Sequence, residues 1–279
     1  MSRRLASIDI AGLLRQVFSR CRTRALLGVF ASVSAASGSA FAQTLETETA
    51  RLLEPGQFML GGAFEVQSAS EGQEYALPLS IEYGLSKRWE LLVEPVIYTA
   101  IRPRSGLNAT GIGDVETTLT YWFSDETDSM PALAFAAEVK IPTANNTLIG
   151  TGQVDFAGYF IASKRFGDFD VHANFGYTLV GQPAGVSLDN IFNLALATEY
   201  RINSKYELFG EVLGTVSAGQ GHETPDSGGG LIVPEAPTGE LVGTFGFGNQ
   251  VNKDLMLFCA ASFDNNNAFQ LRTGFTIRF

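Results

Sequence analysis

Three features of the sequence predict a closed antiparallel β-barrel of about twelve membrane-crossing strands. Large apolar residues recur at every second position through most of the chain after residue 56. The connections between these segments alternate between short and mostly longer ones, as in barrels with short periplasmic turns and extended extracellular loops. No run of about 18 apolar residues occurs anywhere, so helices do not carry the chain across a membrane. Composition agrees: 45% of the 279 residues are hydrophobic and only 17% are charged, with 30 Gly and 21 Phe. A chain this apolar must distribute its hydrophobic residues by alternation.

The first 42 residues stand apart. Arg3, Arg4, Arg15, Arg20, Arg22 and Arg24 face a single acid, Asp9, and an apolar stretch from Ala25 to about Ala36 follows. Ala40-Phe41-Ala42 then precedes Gln43. A basic head, a short apolar middle and an A-x-A exit describe a secretory leader removed after Ala42, with Ala40 and Ala42 as the small residues read at the cut. Export by a Sec-type route to the outer membrane of a Gram-negative bacterium is the expected localisation. With the six arginines and one aspartate of this stretch removed, 13 bases face 28 acids, a formal charge of −15. That balance disfavours nucleic-acid binding. Cys259 is then the one remaining cysteine, which excludes an internal disulfide. Two histidines, His172 and His222, are too few for a His-rich metal site. No cofactor is expected.

The expected organisation is a leader at 1–42, a periplasmic N-terminal segment at 43–56 and a barrel at 57–279. Leu45, Leu52 and Leu53 lie among acids in the N-terminal segment, which fits either a short plug folded back into the barrel or a free tail. Strands are expected to begin near Gln57, Gln73, Trp89, Gly113, Ala132, Gly152, Phe169, Asn190, Tyr206, Glu240, Leu255 and Ala268. Tyr75, Leu77, Leu79, Ile81, Tyr83 and Leu85 alternate with small or polar residues, and so do Phe269, Leu271, Thr273, Phe275, Ile277 and Phe279. A 3.6-residue period cannot align either set on one face. Pro78 and Pro95 fall inside strands 2 and 3, where each removes a ladder donor and predicts a local bulge.

Outward positions beside the short turns hold Phe58, Tyr83, Trp89, Tyr121, Phe123, Phe169, Tyr200, Tyr206, Phe247 and Phe279, an aromatic girdle at one membrane interface. A soluble β-sandwich also alternates, but its outer face should carry charge. Here the charges share the face opposite the large apolar residues. Lipid and lipopolysaccharide are the expected surroundings. The terminal Phe279 resembles the aromatic read by the barrel-assembly machinery.

With the apolar face outward, Glu65, Glu82, Glu90, Glu94, Asp114, Glu116, Glu138, Asp155, Asp170, Glu199, Glu207 and Glu211 point inward. They are joined by Lys140, Arg201, Arg272 and Arg278, with Arg165 as a further candidate, and by the aromatics Tyr98, Trp122, Tyr159, Phe209 and Phe258. The expected lumen lining is Glu94, Tyr98, Glu116, Trp122, Glu138, Lys140, Asp155, Tyr159, Glu199, Arg201, Glu211 and Arg272. Such an interior suits a narrow acidic pathway for small solutes, or equally a filled interior braced by acid–base pairs. The inward aromatics suit a slide for hydrophobic solutes or simple space filling.

Gly111-Ile112-Gly113-Asp114-Val115-Glu116, ending at Tyr121-Trp122-Phe123, resembles the Gly-x-Gly-Asp strand of the phenol-degradation MetA-pathway family of outer-membrane proteins. Lys140-Ile141-Pro142-Thr143 with Gly150-Thr151-Gly152-Gln153-Val154-Asp155 is a second similarity. Ala162–Asp168 followed by His172-Ala173-Asn174-Phe175-Gly176-Tyr177 is a third. The resemblance is concentrated in residues 111–181 and implies a transporter-like outer-membrane barrel associated with aromatic-compound catabolism. The chain departs from the family in lacking its Pro-rich opening at Gln43–Glu54 and in a longer 218–239 loop. A structural or surface-interaction barrel using that loop, and an outer-membrane hydrolase, are the rival classes. Around His172 and His222 the sequence shows no evident Ser–His–acid spacing, so no enzyme activity is expected.

Overall fold

The computed structural model describes residues 46–218 and 240–279. The leader at 1–42 with its Ala40/Ala42 exit, residues 43–45, and His222 with nearly all of the 218–239 loop lie outside the described residues.

Among the described residues, thirteen strands run from β1 (Phe58–Ser68) to β13 (Phe269–Arg278). Between them run β2 (Gly72–Ser86), β3 (Trp89–Pro103), β4 (Ala109–Gly111), β5 (Val115–Ser124), β6 (Ala132–Ile141), β7 (Asp155–Phe166), β8 (Phe169–Leu179), β9 (Ile191–Arg201), β10 (Tyr206–Ser217), β11 (Glu240–Gln250) and β12 (Leu255–Asp264). They alternate in direction except that β4 and β5 both run antiparallel to β3. Each barrel strand pairs with the next, β3 with β5 across the short β4, and β1 pairs with β13 from Met59 opposite Arg278 to Ser68 opposite Phe269, which closes the sheet. Closure leaves no strand edge to be satisfied by lipid. Twelve strands form the barrel, and β4 is an additional three-residue strand on the far half of β3.

The short β4 arises where β5 is interrupted. The sequence predicts one strand starting near Gly113; instead Ala109–Gly111 pairs with Thr99–Ile101, the ladder breaks at residues 112–114, and pairing resumes at Val115 opposite Pro95. Across the break, the Gly113 N–H donates to the Val96 carbonyl at 2.8 Å. A Cβ on Gly113 would approach the Val96 Cβ to 2.7 Å, so only glycine permits that contact.

Of the two prolines, only Pro78 marks a register shift; Pro95 lies opposite Val115 in the regular register of β3 and β5, so no bulge forms there. Pairing slips between Leu77 and Pro78, which places Leu77 opposite Tyr98 and Pro78 opposite Val96, with Ile97 as the extra residue. A bulge of this kind reverses the facing of everything beyond it relative to strict alternation. Tyr98 therefore shares the outward face of Leu77 and is 39% exposed. Its expected place in the lumen lining is corrected.

Outside, the barrel presents a continuous apolar surface that includes Leu119, Leu196, Phe135 and Phe245. The girdle residues meet in cross-strand pairs: Phe58 with Phe279 (5.7 Å between centroids), Trp89 with Tyr121 (4.6 Å), Phe169 with Tyr200 (4.5 Å) and Tyr206 with Phe247 (5.5 Å). Such pairs add stability beyond area burial and fix register. Phe175, Tyr177, Phe192, Phe263 and Phe269 make similar contacts at the opposite end.

The seam ends on Phe279, whose N–H donates to the Phe58 carbonyl at 2.8 Å while its ring meets Phe58. Deleting Phe279 removes its two backbone bonds to Phe58, the second long at 3.5 Å, and one ring pair, a loss of about 1–3 kcal/mol. The heat-modifiable gel transition of the folded barrel should fall in temperature, while the spectroscopic strand content below the transition stays unchanged.

Candidate functional site

The interior carries a row of charges at one level. Glu94 on β3 lies opposite Glu116 on β5, Glu116 opposite Lys140 on β6, and Lys140 opposite Asp155 on β7, with which it forms an ion pair. The Asp155 carboxylate also accepts the Gly181 N–H at 2.7 Å. Glu138 sits one inward step from Lys140 and faces the Thr118 hydroxyl and the Tyr159 phenol at 3.4 Å each. Four acids and one base thus occupy one sector of the wall, and the base is engaged by Asp155.

The remaining expected lining residues gather elsewhere. Glu199 lies opposite Asp170, and Arg201 opposite Glu207. Arg272 binds Glu65 and Glu46, each at 2.5 Å. Trp122 and Tyr159 pack against Ala132, Ala134, Ala136 and Ile161. Phe209 and Phe258 lie nearly buried against the wall because Gly246 and Gly274 face them; a Cβ on either glycine would come within 2.6 Å of the opposing ring. The aromatics that look from sequence like obstructions therefore lie flat. On the side of β10 to β13 a cavity of about 200 Å³ remains, bordered by Glu46, Leu213, Glu240, Val242, Asp264 and Arg272.

Residues 46–57 run through this interior. Glu211 receives the N–H groups of Glu46 (3.2 Å) and Thr47 (2.6 Å) together with the Thr47 hydroxyl. Ser163 accepts the Ala50 N–H at 2.9 Å, and Glu90 accepts the Leu53 N–H at 2.5 Å. Asn174 donates to the Glu48 carbonyl at 2.9 Å. Arg51 bridges Asp170 (2.8 Å) and Glu126 (2.7 Å), tying the segment to the turn between β5 and β6. Ala50 is 1% exposed within the Ala132–Ala134–Ala136–Ile161 cluster, and Leu53 packs with Met59 and Met256. Gly56 and Gly84 then join the segment to β2, where a Cβ on Gly84 would collide with the Glu54 carbonyl at 2.3 Å.

Sequence reasoning placed Glu90, Asp170 and Glu211 inward but did not pick out Ser163, Asn174, Arg51 or Glu126. Ser163 and Asn174 do carry a signal, being polar at inward positions of their strands. Their partner lies more than 100 residues away, so the alternation could not name it. Ser163 and His172 are also direct register partners on β7 and β8, with Oγ to Nδ1 at 2.8 Å. Both are fully buried, and the Asp170 and Glu199 carboxylates lie 3.9 Å from Nε2, outside hydrogen-bond distance. Ser163 Oγ thus sits between His172, the Thr49 hydroxyl and the Ala50 N–H and supports the segment.

Two motifs noted in the sequence meet as well. The Asp114 carboxylate accepts the Ala144 N–H at 2.9 Å, Thr143 donates to the Gly113 carbonyl at 2.9 Å, and the Ile112 N–H reaches the Asn145 side chain at 3.3 Å. A Cβ on Gly150 would approach both Ala144 and the Asp114 carboxylate within 3.0 Å. The interruption of β5 is thus clasped by the connection between β6 and β7.

Two measurements follow from the segment. Arg51→Ala leaves Asp170 and Glu126 without this cation and should weaken docking by about 1.5–3 kcal/mol. A spin label at Leu52, in a Cys259→Ser background, should become correspondingly more mobile. Glu48 keeps part of its surface open but is pushed up to about 8 by burial first, then by Glu82, Glu90 and Glu138. A carboxyl held up in the docked state favours docking below its ordinary range. That preference is lost as pH rises through that range to about 8 and changes little above it. Label mobility should rise between about pH 5 and 8 and then level off, and Glu48→Gln should flatten the profile.

No curated protein matches the chain in sequence. Among solved structures, the COG4313 outer membrane channel from Pseudomonas putida F1 aligns over 89% of this chain and all of its own, with a TM-score of 0.64 at 12% identity. The NanC porin aligns over 78% of this chain and 98% of its own, with a TM-score of 0.57 at 13% identity. The KdgM porin solved with disordered oligogalacturonate aligns over 79% and 99%, with a TM-score of 0.53 at 10% identity. At these identities the likeness is one of fold, a closed outer-membrane barrel. The family described as "Putative MetA-pathway of phenol degradation" matches residues 98–279, from within β3 through the closing strand, and this chain belongs to it.

Proposed function

We propose that the protein is an outer-membrane channel for small solutes, with a narrow acidic bore that residues 46–57 partly fill. The observation that carries this reading is the inward row Glu94–Glu116–Lys140–Asp155 with Glu138 beside it, in which acids outnumber the single base. Charges face inward in this way when the interior is hydrated, and low-dielectric walls focus their potential. Cations and neutral polar solutes should enter more readily than anions. Membership in a family named for phenol degradation, together with Trp122 and Tyr159 on the inner wall, supports aromatic or other hydrophobic compounds as the transported class.

The same reading includes removal of residues 1–42 at the Ala40/Ala42 exit, export to the outer membrane of a Gram-negative bacterium, lipid and lipopolysaccharide around the apolar surface, and recognition of Phe279 by the assembly machinery. A mature N-terminus at Gln43, found by sequencing the membrane-extracted protein, is the expected result. A structural barrel without transport is the second reading, favoured by the density of contacts between the wall and residues 46–54.

The reversal potential across a salt gradient in a planar bilayer separates the two. Moderate cation selectivity is expected, falling as salt shortens the Debye length. Glu94→Gln/Glu116→Gln should reduce it severalfold in permeability ratio without changing the folded gel mobility. Anion selectivity, or no conductance in the native barrel and in one carrying Arg51→Ala, would establish the acids as bracing.

A further inference from the structure

The contacts of residues 46–53 with the wall have a regularity that the channel reading does not require. Thr47, Ala50 and Leu53 are spaced three residues apart, and each gives its backbone N–H to one side-chain acceptor on a different strand: Glu211 on β10, Ser163 on β7 and Glu90 on β3. Asn174 on β8 supplies the complementary donor, to the Glu48 carbonyl. The segment bends at Glu46, Thr47 and Ala50 and forms neither helix nor strand, so its own backbone does not satisfy these N–H groups. The wall therefore reads main chain at four points.

Two further contacts select side chains. Ala50 is buried in a recess with Ala132, Ala134, Ala136 and Ile161, a space lined by small side chains that suits a small residue. Arg51 meets Asp170 and Glu126. His172 is a positioning residue in this arrangement: its Nδ1 lies 2.8 Å from Ser163 Oγ and holds that oxygen opposite the Ala50 N–H.

We propose that the inward faces of β3, β7, β8 and β10 form a binding groove for a peptide segment, which residues 46–53 occupy in cis. The groove takes a chain that presents N–H donors at every third residue, with a small residue at the second donor and a basic residue after it. Acidic or bulky peptides at those two positions do not fit. The cis segment is held at the high effective concentration of a tethered ligand, so a free peptide enters only when the tether is disabled. The consequence for permeation rests on the channel reading; the binding does not.

The test uses the full-length protein in detergent with the cis segment disabled in two ways. Ala50→Trp cannot enter the alanine recess, and Thr47→Pro/Ala50→Pro/Leu53→Pro lacks all three donors; neither alters a strand residue. The probe is a fluorescein-labelled peptide with the sequence of residues 46–54, followed by anisotropy. Saturable binding to both variants is expected, with at least tenfold weaker binding to the wild-type barrel. N-methylation of the peptide at Thr47, Ala50 and Leu53 should weaken binding by at least tenfold, about one charge-assisted hydrogen bond or more. Methylation at Thr49 and Leu52 should not. Glu211→Gln with Ser163→Ala in the Ala50→Trp background should weaken it likewise. Failure of the peptide to bind either variant while both keep the folded gel mobility would overturn the proposal, as would equal losses from the two methylation patterns. A barrel that binds the peptide yet never conducts refutes the channel reading alone, and one that conducts without binding refutes the groove alone.

Discussion

Everything in this protein depends on the closed hydrogen-bond ladder. A peptide group unpaired in hydrocarbon costs several kcal/mol, so a chain that crosses lipid as strands must return its last strand to its first. Here that closure is the β1–β13 pairing, sealed by Phe58 and Phe279. Once the sheet is closed, its two faces see different solvents. The period of two then sorts the sequence without further instruction, apolar residues to lipid and charged residues to the interior.

The interior inherits a difficulty from that sorting. Twelve strands enclose a space too wide for side chains on one wall to meet those opposite, yet too narrow for the charges to be as well hydrated as in bulk water. The structure answers differently in different sectors. Around β1, β6, β7 and β13 acids find bases across neighbouring strands, as Glu65 does with Arg272 and Asp155 with Lys140. Around β8 and the adjoining turn, Arg165 and Lys164 of β7 meet Asp170 and Glu126, and Arg51 adds a base from outside the barrel strands. Near Glu94 and Glu116 acids stand opposite one another in register. Polar wall residues that lack partners on the wall find them in the backbone of residues 46–53, which has unsatisfied N–H groups of its own. Wall and segment thus solve the same problem for each other.

Glycines shape the space that is left. Phe209 and Phe258 lie along the wall over Gly246 and Gly274, which keeps their bulk out of the bore. At the interruption of β5, Gly113 allows Val96 to approach closely while Asp114 anchors the connection from β6 to β7. The residues that carry the family resemblance near Gly111 and Thr143 therefore act together, although about 30 residues separate them.

The sequence by itself determined the fold class, the facing of nearly every strand, the residues of the girdle and most of the inward acids, because these follow from a local rule with a period of two and a uniform solvent on each side. It also located the stress at Pro78, though the bulge it predicts at Pro95 does not form. What it could not determine was the consequence of that stress: one extra residue at Ile97 turned Tyr98 outward, and the position of a bulge depends on the register of two strands together rather than on either alone. Nor could it show that Ser163 meets His172, that Arg51 reaches Asp170, or that Glu90, Ser163 and Glu211 align with Thr47, Ala50 and Leu53. Those contacts join residues 9 to 164 positions apart in the chain, on different strands around the barrel. Only closure of the tertiary structure brings them to hydrogen-bond distance.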